Sequence, residues 1–291
     1  MDVNTLVIDI GGTKCTLALF ENSTMIRRET HLTDRAGGRD WMLDYIVATA
    51  QAWQQDITIH RCGVGFGGPV NFATQRVGLS VHVGGWRDFA LATYLAGHFS
   101  VPTVIDNDAN VGALGEARYG AGMGADPLFY ITLSTGVGGG FIVNQQIYRG
   151  ADSAAGEVGH ITIQPDGPRD DHGMPGSVER LCSGFWLERD YGQSAQELLQ
   201  SETSLQTYVV HLAWGIKAVI LLLNPACIVI GGGISKAGTA LFGSLQQALH
   251  DCIPSWSGAR IDVRPAALGD DSVLYGALAL AQTYLPDRAY Q

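Results

Sequence analysis

Two stretches of this chain repeat one pattern of polarity. Residues 5–20 run apolar to Asp9, turn through Gly11-Gly12-Thr13-Lys14, and run apolar again. Residues 128–143 run apolar to Ser134-Thr135-Gly136, pass a glycine run, and turn apolar again. Partly alternating apolar segments around a glycine turn predict a β-hairpin in each place. Two such hairpins more than a hundred residues apart predict two α/β domains of similar topology, each offering a glycine turn to a shared cleft.

Elsewhere the period becomes helical. Helices are predicted from about 39 to 54, where Trp41, Leu43, Tyr45, Ile46 and Ala50 form a stripe, and over 91–99, 109–119, 205–223 and about 272–284. In the last, Val273, Leu274, Ala277, Leu278 and Ala281 define one buried face, expected to pack back on the first domain. The division expected is therefore 1–117 plus 272–291 for one domain and 118–271 for the other. Residues 62–71 read as a glycine-rich strand closed by a bend at Gly67-Gly68-Pro69, which fits either close approach of a ligand or packing under a helix. Residues 83–89 set Trp86 beside a flexible turn, as in a pocket wall or a self-anchored surface loop.

The stretch Val104-Ile-Asp-Asn-Asp-Ala-Asn110 reads as a buried strand ending in polar side chains where a helix begins. In α/β proteins ligands bind at such strand-to-helix turns, so Asp106 or Asp108 is expected to meet the cleft as a general base. The plainer reading is that Asp106, Asn107 and Asp108 only cap the helix, and taken alone the stretch favours it. The three glycine turns change the balance. At the first, backbone N–H groups, the Thr13 hydroxyl and Lys14 suit a phosphate, and Asp9 suits a hydrated magnesium ion. The second offers Ser134 and Thr135 without a lysine, and the third, Gly231-Gly232-Gly233, ends a buried strand from Cys227 at an expected helix start, fit for a nucleotide's sugar or base.

Composition narrows the classes. The 291 residues carry a net charge of −10 with only three lysines, Lys14, Lys217 and Lys236, so no basic patch for nucleic acid or an anionic membrane is visible. Five cysteines at 15, 62, 182, 227 and 252 show no close pairing, which indicates neither a disulfide framework nor a zinc ribbon and fits a reducing cytoplasm. Apolar runs at the N-terminus and near 218–223 are interrupted by polar residues, so no signal peptide or membrane span is expected.

Together the chain resembles the ROK family of sugar kinases, including glucokinases and N-acetylmannosamine kinases, through Asp9-Ile-Gly-Gly-Thr-Lys14, Asn107-Asp108, Ser134-Thr-Gly-Val-Gly-Gly-Gly140, Glu157-Val-Gly-His160, Glu179 and Gly231-Gly-Gly-Ile-Ser235. These span nearly the whole chain in the family's order. The resemblance implies two actin-like (ribonuclease H-like) domains around an interdomain cleft, ATP and magnesium as cofactors, and a homodimer. It implies Asp108 as base for a sugar hydroxyl, and Gly68, Asn107, Glu157, His160 and Glu179 as sugar-holding residues. It assigns Asp9, Gly11, Gly12, Thr13, Lys14, Thr135, Gly136, Gly232 and Gly233 to the nucleotide.

A nicotinamide dehydrogenase would open a helix, not a hairpin, after its first strand. A repressor of the family would carry a helix-turn-helix segment before the first strand, which here is expected within about five residues of the start. A non-catalytic sugar sensor remains the alternative. His82 stands where many members have asparagine, and the sugar is not legible. Many members also hold structural zinc with three cysteines after Glu-x-Gly-His; here those positions are Asp170, His172 and Ser177. Losing every thiolate makes zinc the less expected outcome, although His160, Asp170 and His172 leave an open three-ligand site conceivable. Pro165, Pro168 and Pro175 are expected to help order that loop instead.

Overall fold

Both predicted hairpins form at the expected turns. In the computed structural model, which describes residues 2–34, 36–79 and 84–285, β1 (Asn4–Ile10) pairs antiparallel with β2 (Lys14–Glu21), Ile10 facing Cys15 across the turn. β3 (Thr24–Leu32) extends that edge, and α1 (Gly38–Trp53) follows. β4 (Arg61–Phe66) then pairs parallel with β1, and a ribbon of β5 (Val70–Asn71) and β6 (Arg76–Val77) leads to α2 (Leu91–Phe99). β7 (Thr103–Asn107) closes the first sheet beside β4 and runs straight into α3 (Asp108–Tyr119).

The second half repeats this plan. β8 (Leu128–Leu133), β9 (Val137–Val143) and β10 (Gln146–Ile147) form the antiparallel part. Short helices α4 (Val178–Cys182), α5 (Gly184–Tyr191) and α6 (Ala195–Leu198) precede the long α7 (Glu202–Leu223). β11 (Cys227–Gly231) lies parallel to β8, α8 (Thr239–Cys252) crosses over, β12 (Val263–Pro265) lies parallel to β11, and α9 (Ser272–Tyr284) ends the fold. The strand orders, β3-β2-β1-β4-β7 and β10-β9-β8-β11-β12, are one topology used twice.

Alternation within the strands sorts the core into layers. Leu6, Ile8 and Ile10 face α1 and α2, whereas Val7, Ala18 and Phe20 face a middle layer built from α3 and α9. Leu128, Tyr130 and Val229 of the second sheet close on the same middle layer, while Phe129, Ile131, Ile228 and Ile230 face α7 and α8. Each fully buried aliphatic side chain contributes roughly 1.5–3 kcal/mol by removal from water. The middle layer is tight because glycines let backbones touch. A Cβ on Gly276 of α9 would lie 1.8 Å from the Val111 carbonyl oxygen of α3, and one on Gly63 of β4 would lie 2.1 Å from the Ala277 carbonyl oxygen. The glycine alternation in β4 therefore serves helix packing at Gly63.

Glu116 joins the two points at which the chain passes from one sheet to the other. Fully buried on α3, its carboxylate accepts from the N–H groups of Ala121 (2.8 Å), Ala267 (3.1 Å) and Leu268 (3.0 Å) and from the Ser272 hydroxyl (2.7 Å). Four donors offset the cost of burying that charge.

Two expectations are corrected. α7 begins at Glu202 rather than 205, because its first turn is polar and gives no apolar period. By length and composition it could cross a membrane, but half of its most apolar window is buried in this fold, with Val209, Leu212 and Ile216 in the second sheet's core. The third glycine turn does not open a helix directly. Gly232 and Gly238, both at positive φ (84° and 75°), bracket a 3-10 turn, and α8 begins only at Thr239.

Candidate active site

At the junction of β7 and α3 three adjacent polar side chains take three different tasks. Asp106, 1% exposed, turns inward, accepts from the Asn107 N–H (2.8 Å) and the Asn110 side-chain amide (3.2 Å), and pairs with Arg149 (2.7 Å). Asn107 is the N-cap: its Oδ1 accepts from the N–H groups of Ala109 (3.0 Å) and Asn110 (3.2 Å), while its Nδ2 donates to the Gly68 carbonyl oxygen (3.1 Å). Asp108 stays half-buried at the edge, its Oδ1 accepting from the Ala109 N–H at 2.8 Å. Gly67 flanks it so closely that an added Cβ would lie 3.5 Å from Asp108 Oδ2. The capping reading thus holds for Asn107, the core takes Asp106, and Asp108 is the carboxylate left over.

Electrostatics set Asp108 apart as well. Burial pushes its carboxyl up to about 6, with the Glu157 charge adding to the rise and the Ala109 N–H opposing it. Asp9, at the end of β1, is pushed up to about 7 by burial and then by the neighbouring Asp108 charge, against Lys14 and Arg28. Burial is thus the main cause of both shifts, and at Asp9 the repulsion from Asp108 adds to it.

The three glycine turns differ in how they are held. The first is closed by the Gly11 N–H donating to the Lys14 carbonyl oxygen (3.0 Å), and Thr33 steadies it by donating its N–H to Thr13 O and its hydroxyl to Gly11 O. The second is closed by Ser134 N–H to Gly136 O (2.9 Å), and Glu179 Oε2 accepts from Val137 N–H beside it (2.9 Å). Ser134 and Thr135 carbonyl oxygens also receive the first N–H groups of α5, from Gly184 and Phe185. At the third, a Cβ on Gly232 would meet the Leu133 carbonyl oxygen at 2.3 Å, and Gly233 O accepts from Gln196 Nε2 (3.3 Å). Past the second turn, Gly140 serves packing: its added Cβ would lie 2.6 Å from the Ala109 carbonyl oxygen of α3. Only the turn itself faces outward, with Ser134 and Thr135 exposed.

Glu157 and His160 are both exposed, 3.8 Å apart, on the segment after β10. Gly68 is thus bonded to Asn107 and Glu157 lies beside His160, the two pairs linked only by the Glu157 charge felt at Asp108, whereas Glu179 bonds the second turn. Two of the three positions at which the resemblance implies zinc-binding thiolates, Asp170 and Ser177, hold hydrogen-bonded side chains. Asp170 Oδ1 accepts from the N–H groups of His172 and Met174, and Ser177, 2% exposed, caps α4 by accepting from Arg180 N–H. Among the described residues no three His, Cys, Asp or Glu side chains converge as metal ligands. Arg180 ties the loop to α5: it forks onto Asp190 (2.6 and 3.2 Å), stacks 4.2 Å from the Trp186 ring centroid and donates to Arg169 O.

Sequence reasoning missed Asp270, which pairs with Lys236 (2.9 Å) and lies 4.0 Å from Lys14, joining the first turn to the third. Its signal was a carboxylate just ahead of the last helix. It also missed Arg149, for which no local signal exists. His82 lies outside the described residues.

This arrangement has known counterparts. The chain is 31% identical to a glucokinase of Halalkalibacterium halodurans, over 92% of each chain. It is 26% identical to the xylose repressor of Bacillus subtilis, over 69% of this chain and 56% of that one. The solved structure of a ROK family glucokinase from Streptomyces griseus, in complex with glucose and AMPPNP, superposes with a TM-score of 0.82 at 25% identity, covering 96% of this chain and 99% of that one. The ROK family model matches residues 5–284, and with one sheet topology repeated about α3 and α9 the chain has the actin-like ATPase fold and belongs to the ROK family.

Proposed function

We propose that this protein is an ATP-dependent kinase that phosphorylates a hexose or N-acetylhexosamine, at the 6-hydroxyl, with Asp108 as general base. The observation that carries this reading is the half-buried Asp108 carboxyl at about 6, alone of its three-residue cluster in having no task in the core. Such a group is mostly ionised at neutral pH yet basic enough to accept a proton from an alcohol as it attacks. Likeness to glucokinases along nearly the full chain supports the reaction class.

Sugar recognition falls to Gly68, Asn107, Glu157, His160 and Glu179, whose donors and acceptors would be left unpaired by a mismatched sugar. Nucleotide binding falls to Gly11, Gly12, Thr13, Lys14, Thr135, Gly136, Gly232 and Gly233. Asp9 would hold a hydrated magnesium ion, whose charge would offset the repulsion between Asp9 and Asp108. When bound, magnesium neutralises phosphate charge. The chain's own task is to align the hydroxyl, hold the phosphates and exclude water, and the exposure of Glu157 and His160 is what closure over a sugar would remove.

In the same reading the halves 1–117 plus 272–291 and 118–271 move as the two domains, the enzyme is a cytoplasmic homodimer, and it carries no structural zinc. ADP release measured with magnesium and ATP across a panel of hexoses and N-acetylhexosamines tests the activity. Sugar-dependent release with one or a few of them is expected. Sugar binding without release from any would reassign the chain to the family's non-catalytic regulators.

A further inference from the structure

Beneath the junction of β7 and α3 lies a polar cluster for which the proposed chemistry has no use. Arg149 belongs to the segment that leads from β10 to Glu157 and His160, and its side chain is 13% exposed. Its Nε donates to Asp106 Oδ2 (2.7 Å), and its Nη1 donates to the Tyr284 hydroxyl (3.0 Å). The guanidinium lies flat enough over the Phe72 ring to put its carbon 3.4 Å from the centroid. Nη2, buried, has no hydrogen-bond partner among the described residues. The same segment makes a second link across, where Ser153 Oγ accepts from Phe72 N–H (3.2 Å).

The far oxygen of Asp106 does a different job. It receives the Asn107 N–H and the Asn110 amide, so the carboxylate that Arg149 grips is also the one that fixes the backbone just before Asp108 and the first turn of α3. The guanidinium, forked between Asp106 and Tyr284, therefore ties the segment bearing Glu157 and His160 to the turn bearing Asn107 and Asp108 through one hydrogen bond to Asp106. For stability alone an apolar pair of similar volume commonly serves as well as a buried ion pair. What a fork stacked on a ring supplies beyond that is direction.

We propose that Arg149 is a positioning residue for phosphoryl transfer, registering the sugar-holding segment against the catalytic turn through Asp106. The proposal rests on the reading of Asp108 as base. Misalignment of about 1 Å can cost roughly 10²-fold in rate without any loss of a reacting group.

The test uses the full chain in steady-state kinetics with the best sugar of the panel, alongside melting curves. Arg149→Lys keeps the charge but loses the fork and the ring stack. It should fold, lose about 10–100-fold in kcat, raise KM for the sugar, and leave KM for ATP within about twofold. Asp106→Asn and Arg149→Met should each do the same, and the two combined should be no worse than the poorer of these single variants, because one linkage is broken only once. A lowered melting temperature with wild-type kcat and sugar KM in the folded protein would overturn the proposal, as would losses that multiply in the double variant. If Arg149→Lys does not fold, the neutral double variant decides by the same kcat comparison, and failure of both to fold assigns the pair to stability and overturns the proposal. Wild-type turnover in Asp108→Asn would instead overturn the base assignment, whatever the Arg149 variants show.

Discussion

In the first half of the chain the fifth strand of the sheet, β7, runs into Asp106-Asn107-Asp108 and then α3; in the second half the fifth strand, β12, runs through residues 266–271 into α9. The helices are counterparts and cross at a glycine contact, yet their first residues have opposite fates. Asp108 begins α3 half-buried at the edge with its carboxyl pushed up to about 6, whereas Ser272 begins α9 at 2% exposure with its hydroxyl donated to Glu116. The hairpins differ in the same sense. The first carries Asp9 and Lys14 beside its turn, while the second has neither and takes a carboxylate, Glu179, from α4. One architecture is thus used twice, once leaving half-buried carboxylates at its edge and once binding the halves together.

The sharpest way to break this comparison is to replace the two counterpart residues. Asp108→Asn should lose about 10²–10⁴-fold in kcat while sugar binding is largely kept. Ser272→Ala should leave turnover of the folded protein within about twofold but lower stability by about 1–3 kcal/mol, since Glu116 would lose a donor in a fully buried place. Kinetics and melting curves on the pair read both effects, and a large turnover loss in the serine variant would abolish the distinction.

The crossing itself gives the next largest effect. Gly276→Val should cost about 3 kcal/mol or more, because its side chain would be driven against the α3 backbone, where a rotamer change brings no relief. Gly243→Ala in α8, where an added Cβ meets nothing within 4 Å, should instead stabilise by about 0.4–1 kcal/mol by reducing the freedom of the unfolded chain. Denaturant titration of both variants checks the contrast; similar behaviour of the two would mean that the middle layer is not the tight one.

Why some of this was legible in the sequence and some not follows from the range of the interactions. Hairpins, the span of α9 and the polar end of β7 are written in local period and turn residues, and each formed where that pattern put it. The choice between Asp106 and Asp108 was not, because it depends on Arg149, 43 residues away, arriving under the strand end. The glycines of β4 were ambiguous for the same reason: ligand approach and helix approach demand the same missing Cβ, and only the position of α9 distinguishes them at Gly63. The lack of cysteines at Asp170, His172 and Ser177 was legible, but the Arg180 fork and the Trp186 stack that tie this loop to α5 were not.

The most direct test of the central claim, that the first half's strand end carries the base, is the pH dependence of kcat/KM for the sugar. At saturating magnesium and ATP, where bound magnesium would hold Asp9 ionised, a carboxyl at about 6 must lose its proton to act, so the wild type should be flat above that pH and fall tenfold per unit below it. The residual activity of Asp108→Asn should lack that limb. A wild-type profile without a break between about pH 5 and 8, or a variant that keeps the break, would contradict the assignment of Asp108.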